Sequence, residues 1–356
     1  MPLRRKFHGG QMVVVMSLAL TALLGALALG TDVAVIYLNW MQLRKAADSA
    51  ALAGAAYLGP FAASPPASAP CTWGGGGSSA YDVACSYAES NGVAPGEILS
   101  IGPAMTLPPN TTVPSGAQTL QVSLQRSTIP MFFARLVMPS GSNFAAAVDA
   151  TAVGPAPIQT MTQRMFPAGL SVTPSSSLDY PQPVSLTSSS GGNLAWLDLP
   201  NCSPVGSLPP ARPRDHGANL ANDITNGSTC SYSIGDTIRV VSNPEFSNHS
   251  ADIDNAMQAR IPDPDLPPPS LTQLNSADPQ VAVVPLVQMG TVTGPHGKTH
   301  QTATIVGFAT LWLMNYSDPT GTSETIAADF MQYTDRYGIG GGPVDYGAYS
   351  QPFLID

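Results

Sequence analysis

The sequence predicts an α+β protein hung from one N-terminal transmembrane helix. That helix runs on into a stalk helix, and an α+β unit and a β-rich, loop-heavy region follow outside the membrane. Three observations lead there. An uncharged apolar run, Met12 to Leu29, follows a basic start. An alanine-rich stretch without proline comes directly after it. Beyond that, short alternating patterns are broken up by glycine and proline, the signature of strands and turns.

The apolar run has only Ser17 and Thr21 as polar residues. At ~1.5 Å per residue its helix spans ~27 Å, close to a bilayer core of ~30 Å. Lipid offers the backbone no hydrogen bonds, so the segment has to be helical. Arg4, Arg5 and Lys6 stand just before it. The excess of basic residues holds that end in the cytoplasm and sends residue 40 onward across the membrane. The division is a cytoplasmic basic tail at 1–10 and a single span at 11–31. A cleaved signal peptide is the competing reading, with Ala26-Leu27-Ala28 as its cleavage motif.

Residues 33–58 contain no proline, and Gly54 is their only glycine. Alanine favours helix, so the span should continue into a stalk helix over 32–58. Ile36, Trp40, Leu43, Ala47, Ala50 and Gly54 recur in heptad-like steps and form a seam. Tyr37 and Trp40 are suited to the headgroup level. Small residues in the seam let another backbone come close. That backbone belongs either to a partner helix or to the protein's own domain. Asp32, directly before the seam, either registers the helix against a partner or sits solvated at the membrane edge.

Charge and cysteine usage narrow the function classes. The chain has 14 basic and 23 acidic residues. Five of those bases and one acid, Asp32, lie within residues 1–45, which leaves 9 bases against 22 acids beyond. An acidic body without a basic stripe repels phosphate backbones, so nucleic acid is not expected as a partner. Cys71, Cys85, Cys202 and Cys230 include no CxxC pair, which points away from zinc knuckles and thioredoxin-type centres. Outside the membrane, disulfides become the leading reading. Proximity alone suggests Cys71–Cys85 and Cys202–Cys230, with free thiols as the alternative.

The N-terminal blocks resemble a known family. Gly10-Gln11, the apolar run, Asp32, Tyr37 and then LRKAADSAALAGAA at 43–56 are similar to the TadE/TadG-like proteins of the bacterial Flp (tight-adherence) pilus assembly system. Residues 120–153 resemble the strand, helix and strand that follow in that family, and 281–313 resemble the C-terminal part of some members more loosely. The resemblance implies a bacterial inner-membrane protein whose bulk is periplasmic, with a pilin-like α+β unit and pilus-assembly proteins as partners. Two features depart from related patterns. Type IV prepilins carry a Glu where this chain has Val15, which argues against prepilin processing. The DxSxS metal motif of von Willebrand A domains is missing too, so metal-dependent adhesion is not carried over.

Further along, PFAASPPASAP and GGGGSS read as a flexible excursion. A short helix at 81–91, strands at 98–101 and 120–124, an amphipathic helix at 130–137 and a strand at 144–153 complete the unit at 59–155. From 156 to 336 the chain reads as β-rich. Strands are expected at 194–199, 237–241, 281–288 and 302–314, with a helix at 251–261 and a Pro-rich linker at 263–270. Residues 337–356 read as a glycine-rich arm.

No chemistry-bearing motif stands out. His296 and His300 in HGKTH share i, i+4 spacing, but Pro295 and Gly297 make a solvated turn between strands the better account. His249, Asp252 and Asp254 lack the glycine and terminal Glu of a calcium loop, so helix capping accounts for them. No GxSxG elbow or phosphate loop occurs. The sequons at Asn110, Asn226, Asn248 and Asn315 carry little weight in a bacterial protein. The expectation is therefore a non-enzymatic, single-pass component of a Tad/Flp-type pilus or secretion assembly, TadG-like or pseudopilin-like. It has no catalytic residue, cofactor or metal, and it docks through Asp32, Ile36, Tyr37, Trp40, Leu43, Ala47, Ala50 and Gly54. The alternative is a membrane-anchored periplasmic module that binds an envelope or surface ligand.

Overall fold

The computed structural model describes residues 9–58, 79–109, 111–133, 144–171, 180–188, 191–199, 216–241, 250–264, 266–268, 278–293, 299–317 and 324–355. In chain order the elements are α1 (Gly9–Ala55), α2 (Ala80–Ser90), β1 (Ile98–Gly102), β2 (Thr119–Ile129), β3 (Phe144–Val153), β4 (Ile158–Met161), β5 (Ala168–Leu170), β6 (Gln182–Thr187), β7 (Leu194–Asp198), α3 (His216–Asn226), β8 (Tyr232–Ser233), β9 (Thr237–Val240), α4 (Ser250–Arg260), β10 (Val281–Thr293), β11 (Thr299–Ser317), β12 (Thr325–Met331), β13 (Tyr333–Asp335), β14 (Gly338–Gly340), β15 (Ala348–Ser350) and β16 (Phe353–Ile355). A long apolar N-terminal helix is thus followed by a mixed, strand-rich α+β region.

The span and the stalk form one helix of 47 residues. Its outer half is wrapped by an antiparallel sheet of order β1-β2-β3-β16 and by α2. Across β2 and β3, Leu120 lies opposite Ala152, Val122 opposite Ala150 and Leu124 opposite Val148. These six side chains share one face of the pleat and are buried against Leu43, Ala46, Ala47 and Ala50 of α1. Alanines on both sides let helix and sheet approach closely. The helix α2 starts at a capping box in which Ser79 and Asp82 satisfy each other's backbone N–H groups.

Two expectations change here. The strand expected at 120–124 runs on to Ile129. The amphipathic helix expected from Pro130 does not begin there: residues 131–133 are irregular, with a bend at Phe132 and Phe133, and 134–137 lie outside the described residues. Pro130 has no N–H to continue a ladder, so it ends the strand without starting a helix.

The second region is built on strands buried on both faces. The pairing β10-β5-β7-β9-β11 closes back onto β10, and β12 and β6 extend the sheet from β11. On one side Trp196, Val284, Leu286 and Leu311 pack against α3 and α4 through Leu220, Ile224, Ile253 and Met257. On the other, Leu197, Val283, Val287, Ile305 and Phe308 form a separate core. Val281 to Val287 therefore read as an unbroken apolar run rather than an alternating one.

The residues after Tyr337 reach back across the protein. β14 pairs with β4, β15 pairs with β13, and β16 adds to the edge of β3 in the first sheet. The C-terminal arm thus adds one strand to each of three sheets. Gly340 and Gly342 sit where a β-carbon would meet Ala156 Cβ at 2.8 Å and Ile158 O at 2.6 Å, which explains the glycines there.

Candidate membrane-proximal site

The helix α1 changes surroundings abruptly at Asp32. From Met12 to Thr31 its described side chains stand clear of the rest of the protein, with Ala28 alone half-buried. Asp32 is only 3% exposed. Its carboxylate accepts from the Phe132 N–H at 2.8 Å and from the Phe133 N–H at 3.1 and 3.3 Å. A buried carboxylate is costly without such donors, and charge-assisted bonds to backbone N–H are among the stronger kinds. Pro130 creates the match, because ending β2 leaves the next N–H groups without a strand partner. The sequence signal was an acid on the helix and a proline about one hundred residues later, which nothing local connects.

The sheet is laid antiparallel along the helix. At the far end, a β-carbon on Gly54 would fall 2.8 Å from Ala80 O and 2.8 Å from Ala84 Cβ, and would overlap Leu120 Cδ2. Midway, Arg126 donates to Asn39 Oδ1 at 2.8 Å and to Gln42 Oε1 at 3.2 Å. At the near end Asp32 holds residues 132–133.

Arg126 also forms a two-pronged pair with Glu97, at 2.5 and 3.0 Å, and donates to Gly92 O at 3.3 Å. The guanidinium holds the Glu97 carboxyl below its ordinary range, through the hydrogen bond first. One side chain thus ties the stalk helix, β2 and the turn before β1 together. In the sequence the signal for this tie is Arg126 itself, a lone base in an otherwise uncharged strand.

The residues expected to dock divide into two groups. Leu43, Ala47 and Ala50 are fully buried in the protein's own sheet core, and Gly54 is enclosed by Leu120, Ala80 and Ala84. Ile36 is half-buried against the same core. Tyr37 and Trp40 are exposed and stack with ring centroids 6.1 Å apart. Arg4, Arg5 and Lys6 lie outside the described residues. Cys85 and Cys230 are both disulfide-bonded and sit in different cores, while Cys71 and Cys202 lie outside the described residues.

Elsewhere, buried polar groups do structural work. The Tyr349 hydroxyl donates to Asp345 Oδ1 at 2.6 Å. Burial pushes Tyr180 up to about 12 and raises Tyr349 too, so both stay protonated. Burial lowers Arg260 to about 10, which leaves it charged at neutral pH; it donates to Val281 O at 3.0 Å. His300 stands opposite Val292 in the β10–β11 ladder, and His296 and His249 lie outside the described residues. Asp254 accepts from the Tyr316 hydroxyl at 2.9 Å. Among the described residues, no group of three or more His, Cys, Asp or Glu side chains could hold a metal ion. A groove of about 580 Å³ at the C-terminal strands is lined by Pro114, Gln159, Gly340, Ser350 and Phe353 among others, none of them charged.

Comparison with known proteins bears on the helix alone. Residues 10–56 match the family described as putative Flp pilus-assembly TadE/G-like. No curated protein and no solved structure matches the chain. The matched stretch corresponds almost residue for residue to α1.

Proposed function

With a TadE/G-like helix at residues 10–56 as the premise, we propose that this protein is a non-enzymatic, single-pass component of a Tad/Flp-type pilus or secretion assembly. Its N-terminus is cytoplasmic and its strand-rich bulk lies on the periplasmic side of a bacterial inner membrane. The observation that carries the reading is the sharp division of α1 at Asp32. The family match covers both the bare apolar half and the half enclosed by the first sheet. The bare half is long and apolar enough to cross a membrane. On this reading Cys71 pairs with Cys85 and Cys202 with Cys230, as suits an oxidising compartment; Cys85 and Cys230 lie in separate cores.

The enclosed half already has an occupant, so docking on assembly proteins falls to other faces. The helix from Met12 to Thr31, together with Val33, Tyr37, Leu38 and Trp40, presents exposed apolar and aromatic side chains. A partner helix packs there in the membrane through surface fit rather than through the hydrophobic effect.

The test is replacement of residues 10–31 by an unrelated single-span helix, which keeps the head anchored. The proposal expects the variant to reach the membrane yet fail to restore pilus formation in cells lacking the native protein. Full restoration would contradict docking through this helix.

A further inference from the structure

We propose that Phe132 and Phe133 form a membrane-contacting rim of the head, set at the bilayer surface by Asp32. The inference rests on reading α1 as a membrane anchor. Phe132 is 63% exposed and Phe133 43% exposed, although both are large and apolar. Their backbone N–H groups are fastened to Asp32, so their depth is fixed relative to the helix.

That depth can be read along α1. Asp32 lies three residues past Leu29, the last residue of the apolar run. At ~1.5 Å per residue this is ~4.5 Å beyond the hydrocarbon edge, inside a headgroup layer several ångström thick. Apolar side chains held at that level gain by lying against the boundary between headgroups and acyl chains. The antiparallel lie of β2 along α1 makes this end of the sheet the one nearest the membrane. Gly54 and Leu120 mark the opposite end, about 33 Å further along the helix at ~1.5 Å per residue.

The consequence is mechanical. A single helix can tilt in the bilayer and carry the head packed on it along. A second contact beside the anchor, joined to it by the Asp32 carboxylate, sets the tilt of the head. The occupant proposed for this surface is the lipid boundary itself.

The experiment uses the full chain in vesicles of phosphatidylethanolamine and phosphatidylglycerol. A photoreactive p-benzoylphenylalanine replaces, one at a time, Phe132, Phe133, Leu23 within the span, or Leu99. Leu99 is 55% exposed but sits on β1, whose neighbour Ile98 pairs with Leu124 well up the sheet. Lipid adducts are counted by mass spectrometry. The proposal expects adducts at 132 and 133 several-fold above those at 99. Adducts at 23 with none at 132 or 133 would overturn the rim while leaving the anchor intact. No adducts at 23 would overturn the anchor itself. Crosslinks from 132 or 133 to a second protein chain in place of lipid would overturn the lipid contact. In the Asp32→Ala chain, the yield at 132 should fall towards that at 99 while the yield at 23 holds; an unchanged yield at 132 would overturn the role given to Asp32.

Discussion

The two halves of this protein bury their strands in different ways. Along most of its length the first sheet has one covered face. Its inward residues meet the alanine seam of α1, and Ala145, Ala147 and Asp149 on the other side of β3 are exposed. The second sheet curls until its strands pair in a ring and carries two helices outside, so β10 is buried on both faces from Val281 to Val287. The first arrangement depends on close approach of one helix, and the second on filled volume. Substitutions should therefore fail for opposite reasons: overpacking in the first half, and cavities in the second.

The largest effect is expected in the second half. Phe330 on β12 is 2% exposed within its core. Phe330→Ala should cost about 3–5 kcal/mol, the usual range for emptying a buried phenylalanine site. Hydrogen exchange should show β10–β12 amides losing protection while β2 and β3 keep theirs. Equal loss in both would show that the halves unfold as one.

Next comes Gly54→Leu. The added side chain meets the Ala80 backbone carbonyl and the side chains of Leu120 and Ala84. The expected cost is about 3 kcal/mol, at the upper end for overpacking. Chemical denaturation should show it, with lost protection confined to α2 and the first sheet.

A smaller effect is expected for Arg126→Ala, which strands Glu97 and removes the ties to Asn39 and Gln42. The cost should be about 1–3 kcal/mol near neutral pH. The pH dependence has a definite sign. The folded-state pKa of Glu97 is lowered from an ordinary 4.5. Its contribution is present above 4.5 and is lost as pH falls through the lowered value. Unfolding measured from neutral to acid pH should find that the variant's deficit shrinks below pH 4.5. A deficit that stays constant would assign the loss to packing alone.

The same contrast explains what could be read from the sequence. The continuous helix was legible because membrane span, alanine content and seam all indicate it locally. The strands at β1, β3, β7, β9, β10 and β11 were legible from apolar pattern, and α2 and α4 from their helical pattern. What could not be read needed long-range pairing. Ala168–Leu170 and Tyr232–Ser233 are too short to show a period, and they are strands only because their neighbours pair with them. In the glycine-rich tail the apolar run Phe353–Ile355 is too short to show a period, yet as β16 it closes the edge of the first sheet. The seam is visible in the sequence, but whether it faces a partner or the chain's own sheet depends on β2 and β3, about seventy to one hundred residues away. Asp32 stands out in the sequence by its chemistry, whereas its donors at Phe132 and Phe133 lie in a stretch whose pattern predicts a helix from Pro130.

The central claim is that α1 anchors the chain with its head outside the cytoplasm. Protease added to spheroplasts, with an epitope at the N-terminus and another after Ile355, tests it most directly. The account predicts loss of the C-terminal epitope in intact spheroplasts, with the N-terminal epitope and a short anchored fragment protected until lysis. A C-terminal epitope that survives in intact spheroplasts and is cleaved only after lysis would put the head on the inside and contradict the account.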